Sequence, residues 1–161
     1  MMAASGHLKA FLQYLRLNRN VSPHTVRAYE SDVTQFVNHV AAARGVKRGD
    51  LESAALDHPS VAEAAAIGVP HEVKGETAWI FVALKPGAEE DADGIKAAVA
   101  ASLGKAFAPE RILFVSALPK TRSAKIVRRA VRAKALGEDP GDLSTLENPE
   151  VLEEIAQVSK S

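Results

Sequence analysis

The sequence predicts an α+β fold, an N-terminal helical hairpin followed by a small mixed β-sheet with flanking helices. Three observations predict it. Apolar residues recur at i, i+3, i+4 and i+7 within the first forty residues. After residue 51, short β-branched and aromatic runs bounded by proline and glycine alternate with stretches of helical periodicity. Strands mixed with helices behind an all-helical start indicate an α+β unit preceded by a hairpin. The boundaries read as 1–50 and 51–161, within a length of 161 residues that suits one domain or a small domain with an attached helical piece.

In order along the chain, Leu8, Phe11, Leu12 and Leu15 line the face of a first helix over 8–17. "NRNVSPHT" interrupts it, with Ser22 placed to cap the next helix and Pro23 in its first turn, where a missing N–H costs nothing. Val26, Tyr29, Val33, Phe36, Val37 and Val40 line the second helix, and Gly45 and Gly49 mark its end and a linker. Tyr14 and Tyr29 read as packing residues. A short helix runs to about Leu56, Pro59 stops it, and "VAEAAAIGVP" reads as a strand because proline and Gly68 flank residues that would otherwise favour helix. "TAWIFVALKP" is a strand, residues 92–104 a helix, "RILFVSAL" a strand, and 123–136 a helix with Ile126, Val127, Ala130 and Val131 inward. The tail "GEDPGDLSTLENPEVLEEI" is acidic and turn-rich and closes in a short helix.

Composition removes several chemistries. The chain has no cysteine, hence no disulfide, thiolate metal site or thiol nucleophile. Its ten glycines are never closer than four residues, so no dinucleotide fingerprint is present, and the GK at Gly104 and Lys105 lacks the upstream glycine and the following Ser/Thr of a Walker loop. His7, His24, His39, His58 and His71 lack metal-ligand spacing, and no serine sits in a nucleophile elbow. No window resembles a secretory signal or a membrane span, which reads as a soluble, cytoplasmic chain with no membrane partner. The formal charge is zero, yet residues 1–50 hold seven Lys/Arg against three acids and the remainder thirteen against seventeen. The front is basic and the body acidic.

Lys120, Arg122, Lys125, Arg128, Arg129, Arg132 and Lys134 crowd one stretch. Two readings stay open on the residues alone: a solvated basic face, or a lysine at Lys125 held between two anions that must approach each other. Carboxylate activation by ATP poses that second problem, because a negative nucleophile attacks a negative phosphate.

From about Glu52 onwards the chain resembles the C-terminal lid domain of AMP-forming acyl-CoA synthetases, acetyl-CoA synthetase above all. "HPSVAEAAAIGVPHEVKGETAWIFVALKPG", "APERILFVSALPKTRSAKIVRR" and "GEDPGDLSTLENPEV" carry the likeness. The resemblance implies a lid that alternates between an adenylating and a thioester-forming pose. It also implies that Lys125 is the catalytic adenylation lysine and a target of regulatory acetylation, with ATP and coenzyme A as the family's cofactors. Two departures from the family pattern stand out. Ala124 stands where glycine usually precedes the lysine, and Ala100 and Ala101 in "AAVAASLG" replace cations that can meet a coenzyme A phosphate. The family's adenylation body is not among these residues, so the chain alone is expected to bind no cofactor and to catalyse nothing unaided, unless a body is supplied in trans.

Residues 8–51 resemble the start of the core-binding domain of Xer-type tyrosine recombinases, through "FLQYLRLNRNVSPHTVRAYESDVTQFVNHVAAARGV". That likeness implies DNA as a partner, with Arg19, His24, Thr25 and Arg27 as contact candidates. The leading expectation is a fused remnant of the two, and the alternative is a DNA-binding module. Further expected partners are a lysine acetyltransferase or deacetylase acting at Lys125, and a second copy of the chain covering the hairpin's apolar face.

Overall fold

The computed structural model describes residues 13–14, 22, 24–29, 31–32 and 45–161. The chain divides into two compact units, Met1–Val46 and Lys47–Ser161.

In the first unit, the expected cap is present. Ser22 Oγ accepts the Thr25 N–H at 3.1 Å and residues 24–29 are helical, with Val26 buried. Tyr14 and Tyr29, expected to pack, are instead 65% and 46% exposed. Most of the apolar positions of the two N-terminal helices lie outside the described residues.

In the second unit, helix α1 (Arg48–Leu56) precedes strands β1 (Val61–His71) and β2 (Gly75–Leu84), then helix α2 (Ala92–Leu103), a 3-10 turn at Lys105–Phe107, strand β3 (Arg111–Phe114), and helices α3 (Arg128–Leu136) and α4 (Val151–Lys160). The sheet order is β1-β2-β3, antiparallel between the first two and parallel between the last two. Gly49, read as linker, lies inside α1.

The sheet is covered on both faces, which explains why β1 reads as a nearly continuous apolar run and not as an alternation. Ala64, Ala66, Ile80, Val82 and Ile112 face a core built with α1 and α2, through Leu51, Ala54, Ala55, Ile95 and Val99. Ala65, Ile67, Val69, Phe81 and Leu113 face a second core built with α3 and α4, through Ala130, Val131, Leu152 and Ile155. Each strand sends successive side chains to opposite sides.

Two sequence expectations are corrected here. β3 ends at Phe114 and does not run to Leu118. Val115 N–H still reaches Val82 O at 3.0 Å, but the N–H of Ser116 turns to the Glu154 carboxylate on α4 at 2.9 Å, which ends the ladder. The helix expected over 123–136 begins at Arg128; Ser123–Val127 form the turn and second strand of a hairpin, so Ile126 and Val127 pack from that hairpin.

Candidate adenylation hairpin

The hairpin starts where Leu118 and Pro119, both buried, leave the core. Lys120 bridges Ile126 in antiparallel fashion, Thr121 N–H donates to Lys125 O at 3.0 Å, and Val127 N–H donates to Pro119 O at 2.9 Å. The three loop residues are Arg122, Ser123 and Ala124. A turn bond from Ala124 N–H to Thr121 O at 2.8 Å is followed by a left-handed residue, the usual form of a three-residue hairpin loop. That left-handed residue is Ala124, at φ 59°, the one non-glycine residue with positive φ among those described. Alanine therefore adopts the conformation it disfavours, because the loop length demands it. Thr121 Oγ1 stands 3.0 Å from Ser123 Oγ and accepts the Lys125 N–H at 3.3 Å, tightening the tip.

A third short segment holds the hairpin from its other side. Leu146 bridges Thr121, Glu147 N–H donates to Lys120 O at 2.8 Å, and Asn148 takes both neighbours of Pro119. Its Oδ1 accepts the Lys120 N–H at 2.9 Å and its Nδ2 donates to Leu118 O at 3.0 Å. The sequence carries no sign of this role for Asn148 beyond the "LENPEV" run in which it sits.

The basic stretch is not a uniformly solvated face. Lys120 pairs with Glu63. Arg128 grips Glu52 with Nε at 2.6 Å and Nη2 at 2.5 Å, and those hydrogen bonds hold its guanidinium pKa above the usual value. Arg129 donates to the carbonyls of Pro140 and Asp142, Arg132 to Gly68 O and Glu138, and Lys134 to Glu153. Among the described residues of this stretch, Arg122 and Lys125 are left, both exposed and without a side-chain partner. The fold thus pairs four cations with acids, holds Arg129 on two backbone carbonyls, and presents two cations at the hairpin tip.

The end of α2 carries no cation of its own. Its last turn contains no basic residue, Ala101 is exposed, Lys96 Nζ is held by Glu110 O at 2.8 Å, and the nearest cation beyond Gly104 is Lys105.

Of the DNA-contact candidates, His24, Thr25 and Arg27 are exposed on one short helical stretch, while Arg19 lies outside the described residues. Thr25 is engaged in the cap, its hydroxyl 2.9 Å from Ser22 Oγ. Among the described residues no group of His, Asp and Glu is arranged to hold a metal, and no helix is long and apolar enough to cross a membrane.

Residues 50–125 match the AMP-binding enzyme C-terminal domain, a match that ends on Lys125 itself, and this part of the chain is such a domain. The chain is 49% identical over 117 residues to acetyl-coenzyme A synthetase of Methanothrix thermoacetophila, covering 71% of this chain and 18% of that protein. It is 46% identical over 117 residues to 3-hydroxypropionyl-coenzyme A synthetase of Metallosphaera sedula, again covering 71% and 18%. The chain therefore spans less than a fifth of the length of these curated relatives. Among solved structures, the amide bond synthetase McbA from Marinactinospora thermotolerans superposes with a TM-score of 0.52 at 33% identity, over 55% of this chain and 18% of that one. Acetoacetyl-CoA synthetase from Streptomyces lividans shares the fold at a TM-score of 0.57 and 20% identity, over 69% and 17%.

Residues 8–58 also match the phage integrase N-terminal SAM-like domain. The two matches overlap at 50–58, where Leu51, Ala54 and Ala55 are buried in the core of the second unit.

Proposed function

We propose that residues 47–161 serve as the lid of an acyl-CoA ligase of the acetyl-CoA synthetase type, delivering Lys125 to an adenylation body that this chain does not contain. The observation that carries this reading is the hairpin tip, where Lys125 projects unpaired from a stretch whose cations are mostly neutralised. In carboxylate activation a carboxylate oxygen bonds to the α-phosphorus of ATP as the bond to pyrophosphate breaks. Two unit charges 4 Å apart repel by about 4 kcal/mol at an effective dielectric of 20. An ammonium group placed between them removes most of that repulsion, and it does so only inside a pocket that holds both anions. The reading includes ATP as substrate and acetate as the carboxylate. Coenzyme A belongs to it as the family's acyl acceptor, but the α2 end supplies no cation for its phosphate, and we assign no step to it here. A reducing, cytoplasmic setting accords with a chain free of cysteine.

Mixing the chain with a lid-deleted acetyl-CoA synthetase body, acetate and ATP tests the reading. Acetyl-adenylate formation with release of pyrophosphate is expected with the wild-type chain and not with Lys125→Ala; equal release with both would refute it. The same unpaired amine suits an acetyltransferase, and mapping acetyl groups by mass spectrometry after incubation with one should find Lys125.

A second reading, DNA binding by the first unit, is supported by the SAM-like match and by the exposed His24, Thr25 and Arg27 beside the Ser22 cap. Phosphate neutralisation would give a dissociation constant of about 100 μM or tighter at low salt, weakening steeply as salt rises. An unshifted duplex in a gel at that concentration would remove this reading.

A further inference from the structure

Helix α3 begins in an unusual way. It has no side-chain cap, no acid in its first turn, and opens on two arginines, Arg128 and Arg129. Cations at a helix N-terminus oppose the positive end of the dipole, so this start needs negative charge from elsewhere. Glu52 of α1 supplies it, from 76 residues away in sequence.

Glu52 is itself fixed. It is one of three buried polar residues among those described, its side chain is 8% exposed, and its Oε1 also accepts the Ala66 N–H of β1 at 2.8 Å. A buried carboxylate with a strand N–H and a two-pronged guanidinium on it has one geometry and little freedom. Arg128 follows Lys125 by three residues, and no linker separates them. The strand carrying Lys125 runs through Ile126 and Val127, whose N–H is bonded to Pro119 O, straight into α3.

We propose that Glu52 is a positioning residue for Lys125. By gripping Arg128 it fixes the junction from which the lysine's strand projects, and it couples α1, the first helix of the domain, to the hairpin tip. The first strand of the hairpin is held independently, by Asn148 and by the Lys120–Glu63 pair. Glu52 therefore governs the second strand, the one that bears the amine. Its importance to Lys125 rests on the lid reading above, whereas the mechanical coupling does not.

Amide hydrogen exchange on the full 161-residue chain tests that coupling with no turnover required. In Glu52→Gln the Thr121 and Val127 amides should exchange about tenfold faster, while amides of β2 and α4 keep their wild-type rates. Arg128→Lys keeps the charge and gives up one of the two parallel bonds; it should accelerate the same amides by about threefold, and it decides the matter if the glutamine variant does not fold. Acceleration by one common factor across β2, α4 and the hairpin would mean that the pair merely staples the core and would overturn the proposal, as would unchanged hairpin rates. Where the lid-deleted body restores turnover, Glu52→Gln should lower kcat about tenfold and leave the KM for acetate unchanged. An unchanged kcat in that mixture would also overturn it. Absence of turnover with the wild-type chain counts against the lid reading and leaves the exchange result to decide the coupling.

Discussion

Ala124 shows how one residue sets the tension in the hairpin. A left-handed alanine costs about 1–2 kcal/mol, and glycine in its place would give back part of that in unfolded-chain entropy. Ala124→Gly should therefore stabilise the chain by about 0.5–1 kcal/mol, read as a higher urea midpoint with an unchanged slope. A lower midpoint would mean that the loop does not require this conformation. Asp142 makes a different prediction at the same scale. Its carboxylate accepts the Ser144 N–H at 2.9 Å, and hydrogen bonding to Ser144 holds its pKa below the ordinary aspartate value. A lowered folded-state pKa means that the turn's contribution is present above the unfolded value and is lost as pH falls through the folded one. A titration followed at the Ser144 amide should move at a pH below that of an unperturbed aspartate, and Asp142→Asn should abolish the movement.

Among the elements, the hairpin depends on a segment nearly thirty residues further on. Asn148→Ala leaves the Lys120 N–H and Leu118 O without their side-chain partner and should cost about 1–3 kcal/mol, measured by denaturant unfolding. This dependence also shows what the sequence could reveal. β2 was legible because Trp79, Ile80, Phe81 and Val82 suit a strand in any context, and α2 because its apolar residues keep one period. Ser123–Val127 read as helix in the sequence because their local preferences allow one, while the bonds that make them a hairpin come from Pro119, Thr121 and Asn148. In the sequence β3 looks longer than it is for a similar reason. Val115 and Leu118 are buried like strand residues, but Glu154 takes the Ser116 N–H and hydroxyl and ends the pairing. Lys125 was legible as a candidate through its motif; Glu52 was not, since a single glutamate in a short helix reads as surface until the fold closes over it.

At the scale of the whole molecule, the second unit pairs most of its basic stretch with its own acids. Glu52, Glu63, Glu138 and Glu153 answer Arg128, Lys120, Arg132 and Lys134, and the two cores hold the sheet from either side. What remains of that stretch at the braced tip is Arg122 and Lys125, and the lysine has nothing to bring together without a pocket that binds both anions. The most direct test is to incubate the pure 161-residue chain with acetate and radiolabelled ATP and look for acetyl-adenylate. The account predicts none above a protein-free blank, with adenylate appearing when the lid-deleted body is added and failing to appear with Lys125→Ala. Acetyl-adenylate formed by the chain alone would contradict it.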